Sequence, residues 1–187
     1  MYAVSGKRCR TNQKIRSFHG FRQPAAEKNT IMVTGQKSGL LLRRNIYAKE
    51  DVACCLMHNR DNHEYKDFIE DFCSDIEETL AIAKKAGIKE ERIVLDPGVG
   101  FGKNFEQNLS IMKHMDVFSR WGLPILLGTS RKSVIGLALD LPVDQREEGT
   151  AATTVLGRMK GASIFRVHDV KTNYREMKMI EAILEAK

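Results

Sequence analysis

Apolar and polar positions trade places in a regular rhythm along this chain. Four runs begin apolar and turn polar at their C-terminal ends: VACCLMHNR at 52–60, IVLDPGVGFGK at 93–103, PILLGTSRKS at 124–133 and SIFRVHDV at 163–170. Between them the period becomes helical. Over 64–86, Phe68, Phe72, Ile76 and Leu80 recur at four-residue steps on an otherwise acidic segment, and Gly87 stands where such a helix would stop. Leu109, Met112, Met115 and Phe118 predict a helix near 106–119. Met177, Ile180, Ile183 and Leu184 predict one near 172–186, with further helical segments near 131–139 and 144–160. These stripes are read as core. Strands alternating with amphipathic helices imply right-handed βαβ crossovers and a parallel sheet, so the fold class is α/β. In a parallel βα barrel the reacting groups lie on the loops after the strands, where the polar ends of these four runs fall. A closed barrel needs eight such units, and this pattern supplies four.

Charge changes the reading of the first quarter. The net charge is +6 over 187 residues, yet residues 1–50 hold eleven Lys or Arg against only Glu27 and Glu50, leaving the remainder slightly acidic. The basicity is a property of the head, not a nucleic-acid face on the body, and no nucleic-acid partner is expected. Residues 1–46 show no sustained period and are expected to be a poorly ordered head, either a basic transit segment or a stretch unrelated to the domain at 47–187. Cys9, Cys54, Cys55 and Cys73 form no CxxC pair and no ligand spacing with histidine, which points to a reducing compartment without disulfide or zinc. With no long apolar run and no secretory leader, the expected location is cytoplasmic, or mitochondrial if the head is a transit segment, with no membrane partner.

Candidate chemistry sits at the strand ends. Asp96 closes IVLD before Pro97 and Gly98; alone it reads as the opening of a turn. Gly100 and Gly102 flank Phe101, however, so backbone and one aromatic face can approach a flat ligand. A carboxylate there accepts two hydrogen bonds from an amidine-like edge. The GTSRKS run sets Gly128, Thr129, Ser130, Arg131, Lys132 and Ser133 at a helix start, an anion or carbonyl site, against the alternative of a serine N-cap with solvated cations. In RVHDV, Arg166 and His168 share one strand face, and Asp169 is placed to orient the imidazole or to pair with the arginine. Met57 ends the first strand, and His58 reads as a satisfied histidine near the core.

Together, CLMH, LDPGVGFGKN, LLGTSRKSVIG, GTAAT and FRVHDV, in this order and at these intervals, resemble the C-terminal half of the dihydropteroate synthases over roughly residues 47–187. The resemblance implies the C-terminal half of a (β/α)8 TIM barrel. It implies displacement of pyrophosphate from 6-hydroxymethyl-7,8-dihydropterin pyrophosphate by the amine of p-aminobenzoate, giving 7,8-dihydropteroate for folate biosynthesis. It places Asp96 on the pterin's amino-pyrimidine edge, Lys132 near the pterin carbonyl, and Met57 and Gly128 along the pocket wall. Arg166 would stack on the pterin and, with His168, hold the pyrophosphate; Ser133 and Phe101 would receive p-aminobenzoate. Lys132, Arg166 and His168 are thus the expected catalytic set.

The same resemblance implies magnesium, which leaves with the pyrophosphate. The asparagine that helps bind it, a Thr-Arg-Pro loop, and an Asp and an Asn on the pterin have no counterpart in residues 1–50. The expectation is therefore a truncated or misjoined chain with little or no synthase activity, self-associating through open sheet edges or dimeric through its late helices. Pterin-binding methyltransferases, which share the barrel and a similar aspartate, are the second reading, and a non-catalytic half-barrel is the third. The SRKS and RVHDV runs favour the synthase.

Overall fold

The computed structural model describes residues 2–5, 30–33 and 53–187. In chain order the elements are β1 (Tyr2–Ser5), β2 (Thr30–Val33), β3 (Ala53–Met57), α1 (Phe68–Lys85), β4 (Ile93–Asp96), α2 (Phe105–Lys113), β5 (Leu126–Leu127), α3 (Ser133–Leu139), α4 (Glu147–Met159), β6 (Ile164–Val167) and α5 (Val170–Glu185). The four apolar runs all become strands and lie side by side in chain order. Parallel pairing joins β3 to β4, with Cys54 opposite Ile93 and Met57 opposite Asp96, and joins β5 to β6, with Leu126 opposite Ile164. A single parallel bridge between Leu95 and Ile125 links the two pairs.

Two strands come from the head, where the sequence pattern predicts none. The apolar TIMV of β2 runs parallel to β3, and YAVS of β1 runs antiparallel to β6. The edges that a four-strand plan leaves open are thus covered, and among the described residues β1 and β2 themselves end the two sheets, so the open edge is moved outward rather than removed. Each segment is four residues long, too short for periodicity to register; the ladder supplied by β3 or β6 selects it. The rest of the expected poorly ordered head, and the domain start at 47, lie outside the described residues.

Strand pleating sorts side chains to two faces. On one, Cys54, Leu56, Ile93, Leu95, Leu127, Phe165 and Val167 join the helices in the main core with Phe72, Ile76, Ile111, Phe118 and Met177. On the other, Cys55, Val94 and Ile164 pack together with Leu126 against them. Two residues further along the same face come Met57, Asp96, Gly128 and Arg166. A small apolar floor therefore underlies one row of polar and pocket-forming residues at the C-terminal strand ends.

Three of the helices, α1, α2 and α5, begin where a side chain satisfies a free N–H group. Asp67 caps α1 by accepting from the Glu70 N–H, and Asn104 and Gln107 form a reciprocal capping box on α2. α1 starts at 68, not 64, because the preceding residues are tied elsewhere: the Glu64 carbonyl accepts from Arg60 and the Glu64 N–H donates to Asn62. The expected helix at 106–119 breaks at His114, after which Met115–Trp121 winds as a tighter 3-10 turn closed by Gly122. With three residues per turn, Met115 and Phe118 both face the core, where both are buried. Leu109 is exposed, contrary to its reading as core.

α5 departs most from its apolar pattern. It buries Asn173, Met177 and Glu181, while Ile183 is 55% exposed and Leu184 is also exposed. The partner is α4, whose facing residues are polar: Thr154 Oγ1 donates to Asn173 Oδ1 at 2.7 Å, and Arg158 Nε donates to Glu181 Oε1 at 3.2 Å. This polar seam replaces the expected apolar one. Among the described residues, Cys54, Cys55 and Cys73 are buried and in no disulfide, and no helix is long and apolar enough to cross a membrane.

Candidate functional site

Asp96 lies at the end of β4, buried, with its Oδ1 accepting from the Gly98 N–H at 2.7 Å. Burial raises its carboxyl above the ordinary range; the Gly98 N–H and the cations of Lys132, Lys103 and Arg166 oppose that rise. This is a carboxylate surrounded by positive charge at a strand end, as a cationic or donor-rich ligand edge would require. The sequence-predicted row is also brought together. Met57 pairs with Asp96 in the ladder, and a Cβ on Gly128 would stand 3.8 Å from that of Arg166.

Lys132 reaches across the mouth from the loop after β5. Its Nζ donates to the Val99 carbonyl and sits 4.6 Å from the centre of the Phe101 ring. Burial lowers its pKa, with Asp96 opposing and Arg166 reinforcing the shift. Lys132, Asp96, Phe101 and Arg166 thus form one electrostatic group. Phe101 is half exposed at the rim, and Ser133 is exposed as the first residue of α3.

Three expectations for the last two loops are corrected. The run GTSRKS does not converge as one anion site: Arg131 turns to Glu147, with Nε donating to Oε2 at 3.2 Å, and only Lys132 faces the Asp96 group. Neither Ser130 nor Ser133 caps α3, whose N-cap is Lys132. Asp169 does not orient His168; it caps α5, with Oδ1 accepting from the Thr172 N–H and Oδ2 from the Thr172 hydroxyl. Ser130 performs the orienting instead, its Oγ lying 2.8 Å from His168 Nδ1 while accepting from the His168 N–H. His168 itself is exposed at the end of β6.

A second network, missed in the sequence, underlies the Asp96 loop. Lys103 is buried, and its Nζ lies 2.9 Å from His58 Nδ1, 3.1 Å from the Gly98 carbonyl and 2.9 Å from the Phe101 carbonyl. His58 Nε2 meets Asp75 Oδ2 at 3.0 Å, and the same oxygen accepts from Arg60 Nε at 2.6 Å. Burial would raise the Asp75 pKa, but these hydrogen bonds outweigh it and hold the carboxyl well below the usual range. An ionised Asp75 demands a proton on Nε2, so neutral His58 presents a bare Nδ1 to Lys103. Burial pulls the His58 pKa down to about 4, with Asp75 opposing and Lys103 reinforcing the shift. His58 is the satisfied, buried histidine its position suggested.

The glycines of this loop explain how closely it approaches the loop after β3. Gly98 has φ +64, and a Cβ there would fall 1.9 Å from the His58 carbonyl oxygen; at Gly102, φ +55, it would fall 2.5 Å from the Arg60 backbone. Tyr65 closes the same contact by donating its hydroxyl to the Gly102 carbonyl at 2.9 Å. The only sequence cue to the network was a lysine at the end of a glycine-rich loop. Its partners stand up to 45 residues away.

Comparison with known proteins gives the family. A family model described as pterin binding enzyme matches residues 40–168, beginning seven residues before the expected domain start. The dihydropteroate synthase of Clostridium beijerinckii is 59% identical over 140 residues, 74% of this chain and 52% of that protein. That of Bacillus subtilis is 48% identical over 140 residues, 75% of this chain and 49% of that protein. The chain therefore spans about half the length of the curated relatives it matches. A crystal structure of the Clostridium difficile dihydropteroate synthase with pteroic acid superposes with TM-score 0.77 at 43% identity, covering 83% of this chain and 59% of that one. The Yersinia pestis dihydropteroate synthase superposes with TM-score 0.75 at 37% identity, covering 81% and 61%. With parallel strands in βα succession, a buried aspartate at the end of β4 and a family match over more than half its length, this chain belongs to the pterin-binding enzyme family.

Proposed function

We propose that this chain is the pterin-gripping portion of a dihydropteroate synthase, with its four parallel βα units corresponding to the second half of a TIM barrel. The observation that carries the reading is the Asp96 group: a buried carboxylate at a strand end, in one row with Met57, Gly128 and Arg166, with Lys132 reaching across the mouth to the Val99 carbonyl. In this reading Asp96 accepts from the amino and ring N–H groups of the pterin edge, a bidentate and charge-assisted contact. Lys132 exchanges the Val99 carbonyl for the pterin carbonyl. Met57 and Gly128 shape the walls; Gly128 leaves room for the Arg166 side chain to lie against the ring.

The chemistry asked of these residues is charge stabilisation and positioning. As the bond from the pterin methylene carbon to the pyrophosphate oxygen breaks, negative charge grows on the leaving group. Arg166, with His168 held by Ser130, meets that charge. The amine of p-aminobenzoate, lodged between Phe101 and Ser133, forms the new C–N bond and then loses a proton to solvent. Magnesium is the family's expected partner for pyrophosphate, but among the described residues no group of three or more His, Cys, Asp or Glu side chains gathers to hold an ion, so no step here is assigned to it. Dimerisation through the late helices belongs to the same proposal, supported by exposed Leu137, Leu139, Met159, Met179 and Ile183 on α3, α4 and α5.

Titration of the full chain with pteroic acid by calorimetry tests the reading. Saturable binding is expected, weakened at least about tenfold by Asp96→Asn, which removes one charge-assisted acceptor. Absence of binding, or equal binding by the variant, overturns it.

A further inference from the structure

We propose that Lys103 is a positioning residue for the ligand-facing loop, its ammonium bridging the Gly98 and Phe101 carbonyls to His58 and so fixing the loop that presents Asp96 and Phe101. The inference deepens the pterin-site reading and rests on it for the identity of the ligand. Its structural basis is separate. Four carbonyls of the loop are each engaged by a side chain from outside the 96–102 stretch: Gly98 and Phe101 by Lys103, Val99 by Lys132 and Gly102 by Tyr65. Lys103 alone holds two of them. It does so from a buried position where, among the described residues, the loop and His58 receive its protons.

The hydrogen-bond inventory fixes the protonation state this requires. Two carbonyls and the bare Nδ1 of His58 are three acceptors, and only the ammonium form offers three donors. A neutral amine offers two donors and turns its lone pair toward another lone pair. Burial nevertheless lowers the Lys103 pKa to about 7, with Asp96 and Asp75 raising it and Lys132 and Arg60 lowering it. The charged groups facing it come from every neighbouring element: His58 and Arg60 after β3, Asp75 on α1, Asp96 on β4 and Lys132 before α3. The clamp therefore has all its bonds on the acid side of neutrality at the cost of burying a charge, and as pH rises through neutrality it gives up one bond together with that cost.

Amide hydrogen exchange on the full chain, resolved to peptides covering 97–103 and 150–185, tests the clamp without a ligand. In Lys103→Met, which keeps the apolar stem, exchange at 97–103 is expected to accelerate at least about tenfold while 150–185 keeps its protection. In the parent chain, the protection factor at 97–103, corrected for intrinsic exchange, is expected to rise as pH goes from 6 to 9, because the opened loop holds the Lys103 proton more tightly than the closed one does. The parent measurement decides the matter even if the variant fails to fold. Unchanged exchange at 97–103 in a folded variant, or a flat or falling protection factor in the parent, overturns the proposal. Pteroic acid affinity supplies the functional arm, with at least about a tenfold loss expected in Lys103→Met. If the parent binds no pteroic acid, the pterin reading falls, and the exchange data still decide the role of Lys103.

Discussion

Acidification should destabilise this fold through His58 before any carboxylate gives way. Its pKa falls from about 6.5 in an unfolded chain to about 4 in the folded one, because burial and the Lys103 ammonium disfavour a second ring proton. A depressed pKa means that the unfolded state binds more protons in this window. The stabilisation is complete above pH 6.5 and is lost progressively as pH falls toward 4. The shift corresponds to about 3 kcal/mol in all, of which about 2 kcal/mol is gone by pH 5. Structurally, a proton on Nδ1 turns the 2.9 Å contact with Lys103 from a hydrogen bond into two facing cations. Urea unfolding followed by Trp121, the single tryptophan, whose ring packs edge-on against Phe118, measures the effect. The reference is His58→Gln, which has no proton to titrate. Asp96 acts in the opposite direction, because its folded pKa is raised, but it is common to both proteins and cancels in the difference. The parent is expected to lose about 2 kcal/mol more than His58→Gln between pH 7 and pH 5. Parallel pH profiles for the two would show that His58 does not hold its neutral state as the Asp75 and Lys103 contacts require.

Two further outcomes follow from contacts described above. Gly98→Ala forces a side chain into φ +64 and into the His58 carbonyl, so it is expected to lower stability by at least about 2 kcal/mol in urea unfolding and to abolish pteroic acid binding; near-parent values for both would contradict the close loop packing. Glu181→Ala takes a carboxylate from the buried Arg158 and from Lys178 and is expected to cost about 1–3 kcal/mol, whereas the double replacement Arg158→Met with Glu181→Leu should recover part of that loss; equal melting temperatures for the single and double variants would show that the two side chains are not energetically coupled.

The parts of the fold legible in the sequence were those governed by local period. Four apolar runs gave four strands in the right order, and Asp96, Met57, Gly128 and Arg166 fell in one row because strand alternation leaves little choice. What escaped depended on which surfaces meet. Glu181 and Asn173 are buried because α4 offers Arg158 and Thr154 to them, which no pattern within α5 can show. Ser130 holds His168 because two loops converge, although Asp169 is adjacent in sequence and chemically equal to the task. The Lys103 network escaped for the same reason, since each of its members taken alone is an ordinary polar residue.

The packing of Gly98 and Gly102 against the residues after β3 bears on how this site can be altered. The loop at 97–102 derives its shape from the His58 and Arg60 backbone and from Tyr65, all contributed by the preceding βα unit. Grafting that loop alone onto another barrel would transfer the ligand-facing residues and leave behind the mould that shapes them. The unit of exchange between homologues, and the unit a designer should move, is the pair of consecutive loops with Asp75 and Lys103 included.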